Sequence, residues 1–300
     1  MANEHDVVIR GGTIMDGNGG APFVGDVAVK AGRIIEVGKV SGAGREEIDA
    51  DGLSITPGFV DIHTHYDGQA MWDSQLAPSS WHGVTTVVMG NCGVGFAPVR
   101  KNTQDAVIAL MEGVEDIPSP CLHEGLDWSW ESFGDYLTAL ERRSHDIDFC
   151  ALLPHAPMRV YVMGDRALNL EDANQADIQQ MREITADAVR AGAFGFSTSR
   201  TIAHKTLAGD ATPTLRAQEN ELMGIAMGLK DAGKGFIEMT SDWNTPDPKT
   251  EFAMMRRVLQ SCGRPMVFSL TQRHDRTTAW KDLLELSTQA VIFGPCYSLL

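Results

Sequence analysis

Basic residues, paired cysteines and long apolar runs are all scarce in this 300-residue sequence. Lys and Arg number 25 against 40 Asp and Glu, which gives a formal net charge of −15 at pH 7. A balance this acidic argues against nucleic acid or an anionic membrane as a partner. The longest apolar runs have only the length of a strand, and the N-terminus lacks the basic and apolar regions of a secretory signal. We therefore expect a cytoplasmic protein without a membrane span.

Several short motifs are also missing. The five cysteines are scattered and form no C-x-x-C pair, which is typical of reduced thiols in an intracellular protein. No G-x-G-x-x-G follows the first strand of the α/β region, so a dinucleotide-binding fold is not supported. No G-x-S-x-G is present either, and this excludes the common serine hydrolase elbow.

What the sequence does contain is a globular composition with two kinds of patterning. Hydrophobic residues make up 43% of the chain, enough for a sizeable core. Residues 1–55 are β-rich: strands are predicted at 6–10, 26–30 and 33–37, with turns at Gly11-Gly12 and Ala31-Gly32. This segment is too small to be stable alone, so we expect its strands to pair with others.

Residues 56–289 alternate between predicted strands and helices. Six strands are predicted, at 59–63, 83–89, 148–153, 193–198, 235–240 and 265–269, with amphipathic helices between them. Repeated strand–helix units indicate an α/β protein with a parallel sheet, either an open doubly wound sheet or a (β/α)8 barrel. The last segment, residues 290–300, is apolar, has no helix cap and breaks this alternation.

The clearest chemical feature lies after the first of these strands. Active sites of parallel α/β proteins lie at the carboxyl ends of strands, where this sequence places His63 and His65. Residues i and i+2 of a strand point to the same side, so the two imidazoles can chelate one metal ion, for which zinc is the best match. The alternative is a pair of polar residues at a strand edge. Cys92 ends the next strand and either completes a metal site or is an ordinary buried cysteine.

Polar side chains that follow the later strands are candidates for contact with a substrate. These are His155, Ser199, Glu238, Asp242 and Gln272. His155 has two interpretations, as a third imidazole at the site or as a hydrogen-bonded core histidine.

Two stretches carry a resemblance to a known family. Residues 56–67, TPGFVDIHTHYD, resemble the first-strand signature of the amidohydrolase superfamily, and residues 8–17 resemble the opening of the same enzymes. Residues 83–93, GVTTVVMGNCG, are similar to the D-aminoacylase branch, the N-acyl-D-amino-acid deacylases. The resemblance extends from residue 8 to about residue 289.

The resemblance implies a metal-dependent hydrolase of amide C–N bonds other than peptide bonds. It implies a TIM-type barrel over residues 56–289 and a small β-sandwich to which residues 1–55 belong. His63 and His65 would hold the first metal position, with Cys92 as bridge or third ligand. The metal would activate water against the acyl carbonyl of a small N-acylated amino acid or related amide.

The sequence departs from this family at several positions. The deacylases have two further histidine ligands at the ends of strands five and six, where this chain has Met239 and Leu270, and Gln272 stands in place of a lysine. We therefore expect one zinc ion rather than two. The family's catalytic Asp ends strand eight and would lie beyond residue 300, so we expect an incomplete barrel. We also expect residues 290–300 to reflect a truncation or frameshift.

Two rival hypotheses stay open. A cyclic amidohydrolase of the hydantoinase type would fit the fold, although such enzymes use a carboxylated lysine where this sequence has Cys92. A relative that kept the fold but lost catalysis, or an inactive fragment, would fit the missing histidines. The sequence leaves the oligomeric state open.

Overall fold

The computed structural model describes residues 4–243, 248–270, 276–290 and 296–299. The chain forms two compact units, residues 1–59 and residues 60–300. Among the helices of the described ranges, none combines the length and the apolar character that crossing a bilayer requires.

The first unit is a five-stranded sheet. Its strands are β1 His5–Ile14, β2 Phe23–Lys30, β3 Arg33–Gly38, β4 Gly44–Asp49 and β5 Ser54–Ile55. The order is β3-β2-β1-β4, and β5 also pairs with β1. The predicted hairpin turn between β2 and β3 is confirmed, because Ala31 and Gly32 have φ values of 50° and 71°. The charged strand β4 is not apparent from its sequence, and it is stabilised by parallel pairing with β1.

The predicted turn at Gly11-Gly12 is wrong, because β1 continues through both glycines to Ile14. The pairing of β1 with β2 shifts register between Ile9 and Gly12, and Gly11 has a φ of 71°. The carboxylate of Asp26 accepts the Gly11 N–H at 2.9 Å. The glycine pair therefore forms a β-bulge, for which glycine is well suited, and does not end the strand.

The second unit alternates strands and helices. Its strands are β6 Phe59–Asp61, β7 Val84–Met89, β8 Asp148–Ala151, β9 Leu153–Pro154, β10 Gly195–Arg200, β11 Phe236–Ser241, β12 Met266–Ser269 and β13 Cys296–Leu299. Its helices are α1 Gln104–Glu115, α2 Ser119–Gly125, α3 Phe133–Glu141, α4 His155–Met163, α5 Asp165–Leu168, α6 Gln175–Ala191, α7 Glu219–Ala232, α8 Pro248–Cys262 and α9 Ala279–Ala290.

These strands form two sheets, and within each sheet neighbouring strands follow the order of the sequence. One sheet has the order β6-β7-β8, and the other has the order β9-β10-β11-β12-β13. The pairs β7–β8, β9–β10, β10–β11, β11–β12 and β12–β13 are all parallel. The α/β class with helical crossovers is therefore confirmed. Strand β13, from the segment whose apolar character broke the sequence pattern, adds a further parallel strand beside β12.

Two predicted strands near the candidate site differ clearly from the structure. The first strand ends at Asp61 rather than at His63. The predicted strand over residues 148–153 is split, because Leu152 separates β8 from β9 and the two belong to different sheets. The start of helix α6 at Gln175 is fixed by Asn174 and Asp177, which form a reciprocal capping box.

Candidate metal centre

The two histidines lie in an irregular segment immediately after β6. Thr64 lies between them and is held by the neighbouring strand: its N–H and its hydroxyl both donate to the carbonyl of Val88, at 2.9 and 2.8 Å. With Thr64 fixed to β7, the imidazoles of His63 and His65 lie side by side, with ring centroids 5.4 Å apart. The two imidazoles therefore lie on the same side although their segment is not a strand, because Thr64 between them is fixed to β7.

Cys92 lies in a left-handed turn at the end of β7. The φ values of Gly90, Cys92 and Gly93 are 81°, 55° and 69°. The left-handed region is unfavourable for a non-glycine residue, so neighbouring groups must hold the turn. Glu238 of β11 accepts the Cys92 N–H through Oε2 at 2.9 Å, and Ser197 of β10 accepts the Gly93 N–H through Oγ at 3.0 Å. Side chains from two later strands therefore fix the position of the thiol.

These two segments bring three ligand-type side chains together. The Nε2 atom of His63 lies 3.2 Å from the Sγ atom of Cys92. One ligand atom each from His63, His65 and Cys92 falls within 4.8 Å of the others. In the part of the chain that the structure describes, no other group of three such side chains meets this condition.

Burial keeps the donor atoms of this cluster uncharged in the absence of a cation. It lowers the pKa of His63, and it lowers the pKa of His65 to about 3, with further contributions from the charges of His63 and His204. Burial also raises the pKa of the Cys92 thiol well above its ordinary value, and the charge of Glu238 adds to this. The two imidazoles are therefore neutral and able to bind a metal through a nitrogen lone pair.

Three carboxyl groups lie around the cluster: Asp67 and Glu238 are buried, and Glu115 is half-buried. Burial raises the pKa of Asp67 to about 7 and the pKa of Glu115 and Glu238 to about 8. Within the described ranges, none of the three forms an ion pair with Lys or Arg, and the one ion-pair contact is that of Glu115 with His65. Several acidic groups without a basic partner make this a favourable place for a cation.

A buried nitrogen without a hydrogen-bond partner also indicates that a cation could bind here. The Nδ1 atom of His65 is buried and has no hydrogen-bond partner. Buried polar atoms are normally paired, so this nitrogen needs a partner that the polypeptide does not supply. Two imidazoles and a thiol are the ligand types that zinc prefers. The residues present therefore fit a metal ion.

Comparison with known proteins is consistent with this geometry. Residues 46–294 match the model of a family described as the amidohydrolase family. The chain belongs to the amidohydrolase family. The family's fold is of the TIM-barrel type, so the expected fold class is confirmed at that level.

Relatives of this amidohydrolase include deacylases of D-amino acids. It is 37% identical over 194 residues to the N-acyl-D-aspartate deacylase of Alcaligenes xylosoxydans xylosoxydans, covering 64% of this chain and 36% of that protein. A D-aminoacylase with a binuclear metal centre matches with a TM-score of 0.80 at 27% identity, over 98% of this chain and 58% of that one. An N-acyl-D-glutamate deacylase of Bordetella bronchiseptica, solved with zinc and a phosphonate inhibitor, gives a TM-score of 0.76 at 25% identity, over 99% of this chain and 58% of that one. This chain therefore covers less than two thirds of the length of each of these proteins.

The remaining predicted site residues take different positions. Glu238 lies beneath Cys92, where Oε1 also accepts the hydroxyl of Thr240 at 3.3 Å. Both ring nitrogens of His155 are occupied, since Nδ1 lies 2.9 Å from Thr198 Oγ1 and Nε2 lies 2.9 Å from Glu221 Oε1. The interpretation of His155 as a hydrogen-bonded core histidine therefore agrees with the structure, and no ring nitrogen is left for a substrate.

The positions of the other three predicted substrate-contact residues say less about function. Ser199 is buried, and its Oγ lies 2.8 Å from Nδ1 of His204. Asp242 follows β11 and is half-buried. Gln272 lies outside the described residues.

Three further residues, which were not among the predicted site residues, lie in this region. Asp67 belongs to the quoted first-strand motif, but its burial depends on tertiary structure: Oδ2 accepts the Gly90 N–H at 3.1 Å. His204 reaches the two site histidines from the loop after β10, and burial and the charge of His63 lower its pKa. Glu115 contacts His65 from the end of α1. A carboxylate at a helix C-terminus opposes the helix dipole, and this was the one sequence signal that could have identified Glu115.

The turn that carries Cys92 allows a direct test of its geometry. We expect Gly90→Ala to lower the free energy of unfolding more than Gly209→Ala. Both glycines have positive φ, 81° and 91°, but a Cβ on Gly90 would collide with the carbonyl of Leu152, whereas Gly209 has nothing within 4 Å. The left-handed backbone costs roughly 1–2 kcal/mol in either variant. Urea denaturation measures the difference, and equal losses in the two variants would contradict the close approach at Gly90.

Proposed function

We propose that this chain carries the metal-binding part of a hydrolase that cleaves the amide bond of an N-acylated D-amino acid or a related small amide. The observation that carries the proposal is the cluster of His63, His65 and Cys92, whose ligand atoms lie within 4.8 Å of one another. The relatives named as deacylases of N-acyl-D-amino acids support the substrate class.

In this proposal His63, His65 and Cys92 hold the ion. Zinc bound there would lower the pKa of a coordinated water and polarise the acyl carbonyl of the substrate. The chain's own contribution is to position the ligands: Thr64 fixes the histidine segment to β7, and Glu238 holds the Cys92 backbone. Ligands held this firmly do not need to reorganise when a substrate binds.

We propose that the centre holds one ion. The ends of strands β11 and β12, where the deacylases have two more histidines, carry buried Met239 and Leu270. An aliphatic side chain offers no donor atom and a thioether is a poor zinc ligand, so neither position supports a tightly bound second ion.

For the architecture, we propose that the strands from β6 to β13 form most of the wall of a (β/α)8 barrel, over residues 56–289 and the segment 290–300. Support comes from β6, which lies at the edge of its sheet and leaves Val60 and Ile62 more than half exposed. We propose further that residues 1–55 contribute to a small β-sandwich. The exposed apolar side chains Val24 and Ile34 of its sheet support this, because a sandwich would cover such side chains.

Metal removal tests the proposed function. We expect a chelator to abolish hydrolysis by the purified native protein and one equivalent of zinc per chain to restore it. The assay uses matched N-acyl-D- and N-acyl-L-amino acids together with hydantoins, with zinc content measured in parallel. Preference for N-acyl-D-amino acids supports the proposal, whereas preference for hydantoins favours a cyclic amidohydrolase. Bound zinc without turnover of any of these, or no bound zinc, would favour a relative that lost catalysis.

A further inference from the structure

A threonine of β11 lies beside the sulfur of Cys92. Oγ1 of Thr240 is 3.5 Å from Sγ of Cys92 and 3.3 Å from Oε1 of Glu238. The other oxygen of this carboxyl group, Oε2, accepts the Cys92 N–H at 2.9 Å. Thr240 and Glu238 therefore close a ring of hydrogen-bond contacts that includes both the backbone and the sulfur of Cys92.

The alternation of side chains along β11 explains why Thr240 faces the cluster. Successive side chains of a strand point to opposite faces of the sheet. Met239 points toward the helices, where it lines a small cavity together with Met254 of α8. Glu238 and Thr240, on either side of Met239, point the other way and contact Cys92. Thr240 is therefore the last side chain of β11 on the face of the candidate metal centre.

A serine of the neighbouring strand gives Thr240 a further partner. Oγ of Ser269, at the end of β12, lies 3.0 Å from Oγ1 of Thr240. A hydroxyl group carries one hydrogen and can accept two hydrogen bonds, and its hydrogen rotates to suit its partners. Ser269 can therefore donate to Thr240 and leave the hydrogen of Thr240 for another acceptor.

The chemistry of a metal-bound cysteine identifies that acceptor. Cysteine binds metals as a thiolate, which carries no hydrogen and can only accept a hydrogen bond. In the described part of the chain, the sulfur of Cys92 has two hydrogen-bonding neighbours, the imidazole of His63 and the hydroxyl of Thr240. His63 is itself a proposed ligand, so Thr240 is the group left to donate to the sulfur. Hydrogen bonds to a metal-bound sulfur tune the properties of the centre.

We propose that Thr240 is a positioning residue of the metal centre, which donates a hydrogen bond to the metal-bound sulfur of Cys92. The Thr240 hydroxyl then turns from Glu238 to the sulfur, and Ser269 donates to the oxygen of Thr240. Glu238 keeps its bond with the Cys92 N–H. A hydrogen bond to a charged acceptor is strong, so this donation stabilises the thiolate beside a buried carboxyl group. The inference rests on the metal site of the proposed function.

Cobalt(II) bound to the native protein in place of zinc gives a readout that does not depend on catalysis. A thiolate bound to cobalt(II) produces a charge-transfer absorption band whose energy depends on hydrogen bonds to the sulfur. We expect Thr240→Val, which removes the hydroxyl and keeps the shape of the side chain, to shift this band to longer wavelength, because the sulfur electrons are then less stabilised. Thr240→Ser keeps a hydroxyl and should restore the wild-type band.

Zinc affinity, measured by competition with a chelator, gives a second readout. Loss of a hydrogen-bond partner behind a metal ligand typically weakens binding by about 10–100-fold, and we expect Thr240→Val to fall in this range. Thr185→Val is the matched control, since Thr185 is buried in α6 and donates to the carbonyl of Met181 at 2.8 Å. It should change neither the band nor the affinity. Melting temperatures confirm folding, and Thr240→Ala, which also lacks the hydroxyl, provides the same test if the valine variant does not fold.

The outcomes separate this inference from the proposed function. A band that shifts in Thr240→Val and returns in Thr240→Ser, in a protein that hydrolyses no N-acyl-D-amino acid, would support the inference and remove the proposed function. Zinc-dependent hydrolysis with an unchanged band in folded Thr240→Val would overturn the inference alone. Cobalt(II) bound to the wild type without a charge-transfer band would also overturn the inference, because the sulfur would then not be a ligand. A wild-type protein that binds neither metal would remove both.

Discussion

Replacing His63 by alanine is expected to remove most of the bound zinc and to abolish hydrolysis by the native protein. The imidazole of His63 is the member of the cluster in direct contact with Cys92, at 3.2 Å from Nε2 to Sγ. In the proposed centre its loss removes a ligand itself, so zinc affinity should fall by more than the roughly 10–100-fold expected for a residue behind a ligand. Zinc content after dialysis and the rate of deacylation measure the two effects.

An exposed histidine of the same unit provides the control. His123 lies on the surface of α2, and His123→Ala should retain both zinc and activity. Since His63 is only half-buried, His63→Ala should also keep a native circular dichroism spectrum. Full activity in the His63 variant would remove the histidine pair from the site.

The alternation of strands and helices could be read from the sequence because it depends on local patterns. Buried strands such as β7 appear as short apolar runs in the sequence. The errors arose where tertiary contacts decide the structure. Pairing with β1 stabilises the charged strand β4, and the division of β8 from β9 depends on which neighbouring strand each contacts.

The candidate site also contains both residues that the sequence predicts and residues whose position depends on tertiary contacts. His63, His65 and Cys92 could be predicted from residue type and position at strand ends, and the structure brings them together. Glu115 could not, because its contact with His65 joins the end of a helix to a loop 50 positions earlier in the sequence. The hydrogen-bond partner of buried His155 could not be predicted either, since Glu221 comes from a helix 66 residues further along the chain.

That histidine belongs to a buried polar network beneath the site. Arg159 donates to Glu221 at 2.7 Å and to the carbonyl of Pro213 at 3.0 Å, and only 1% of either charged side chain is exposed. His155 links Glu221 to Thr198 of β10. Thr198 packs directly against Gly93, so the network supports the turn that holds Cys92. A charge buried this deeply depends on its partners.

We expect Arg159→Met to destabilise the protein strongly. Removing one partner of a buried ion pair typically costs about 3–5 kcal/mol, because the remaining charge stays buried without compensation. The control is Arg257→Met: Arg257 pairs with Glu219 on the same helix α7, but these side chains are 52% and 38% exposed. Exposed pairs contribute roughly 0–1 kcal/mol. Urea denaturation measures both, and similar losses in the two variants would contradict a buried network.

The pH dependence of this effect gives a second test of the same network. Burial raises the pKa of Glu221, but the hydrogen bonds and charges of His155 and Arg159 lower it further, so the net pKa in the folded protein is below its ordinary value. A carboxylate with a lowered pKa contributes stability above its unfolded pKa of about 4.3 and loses it as pH falls through the folded value. The difference in unfolding free energy between wild type and Arg159→Met should therefore be largest near neutral pH and shrink below about pH 4. A difference that stayed constant down to pH 3 would mean that Arg159 stabilises the fold through packing and not through the charge of Glu221.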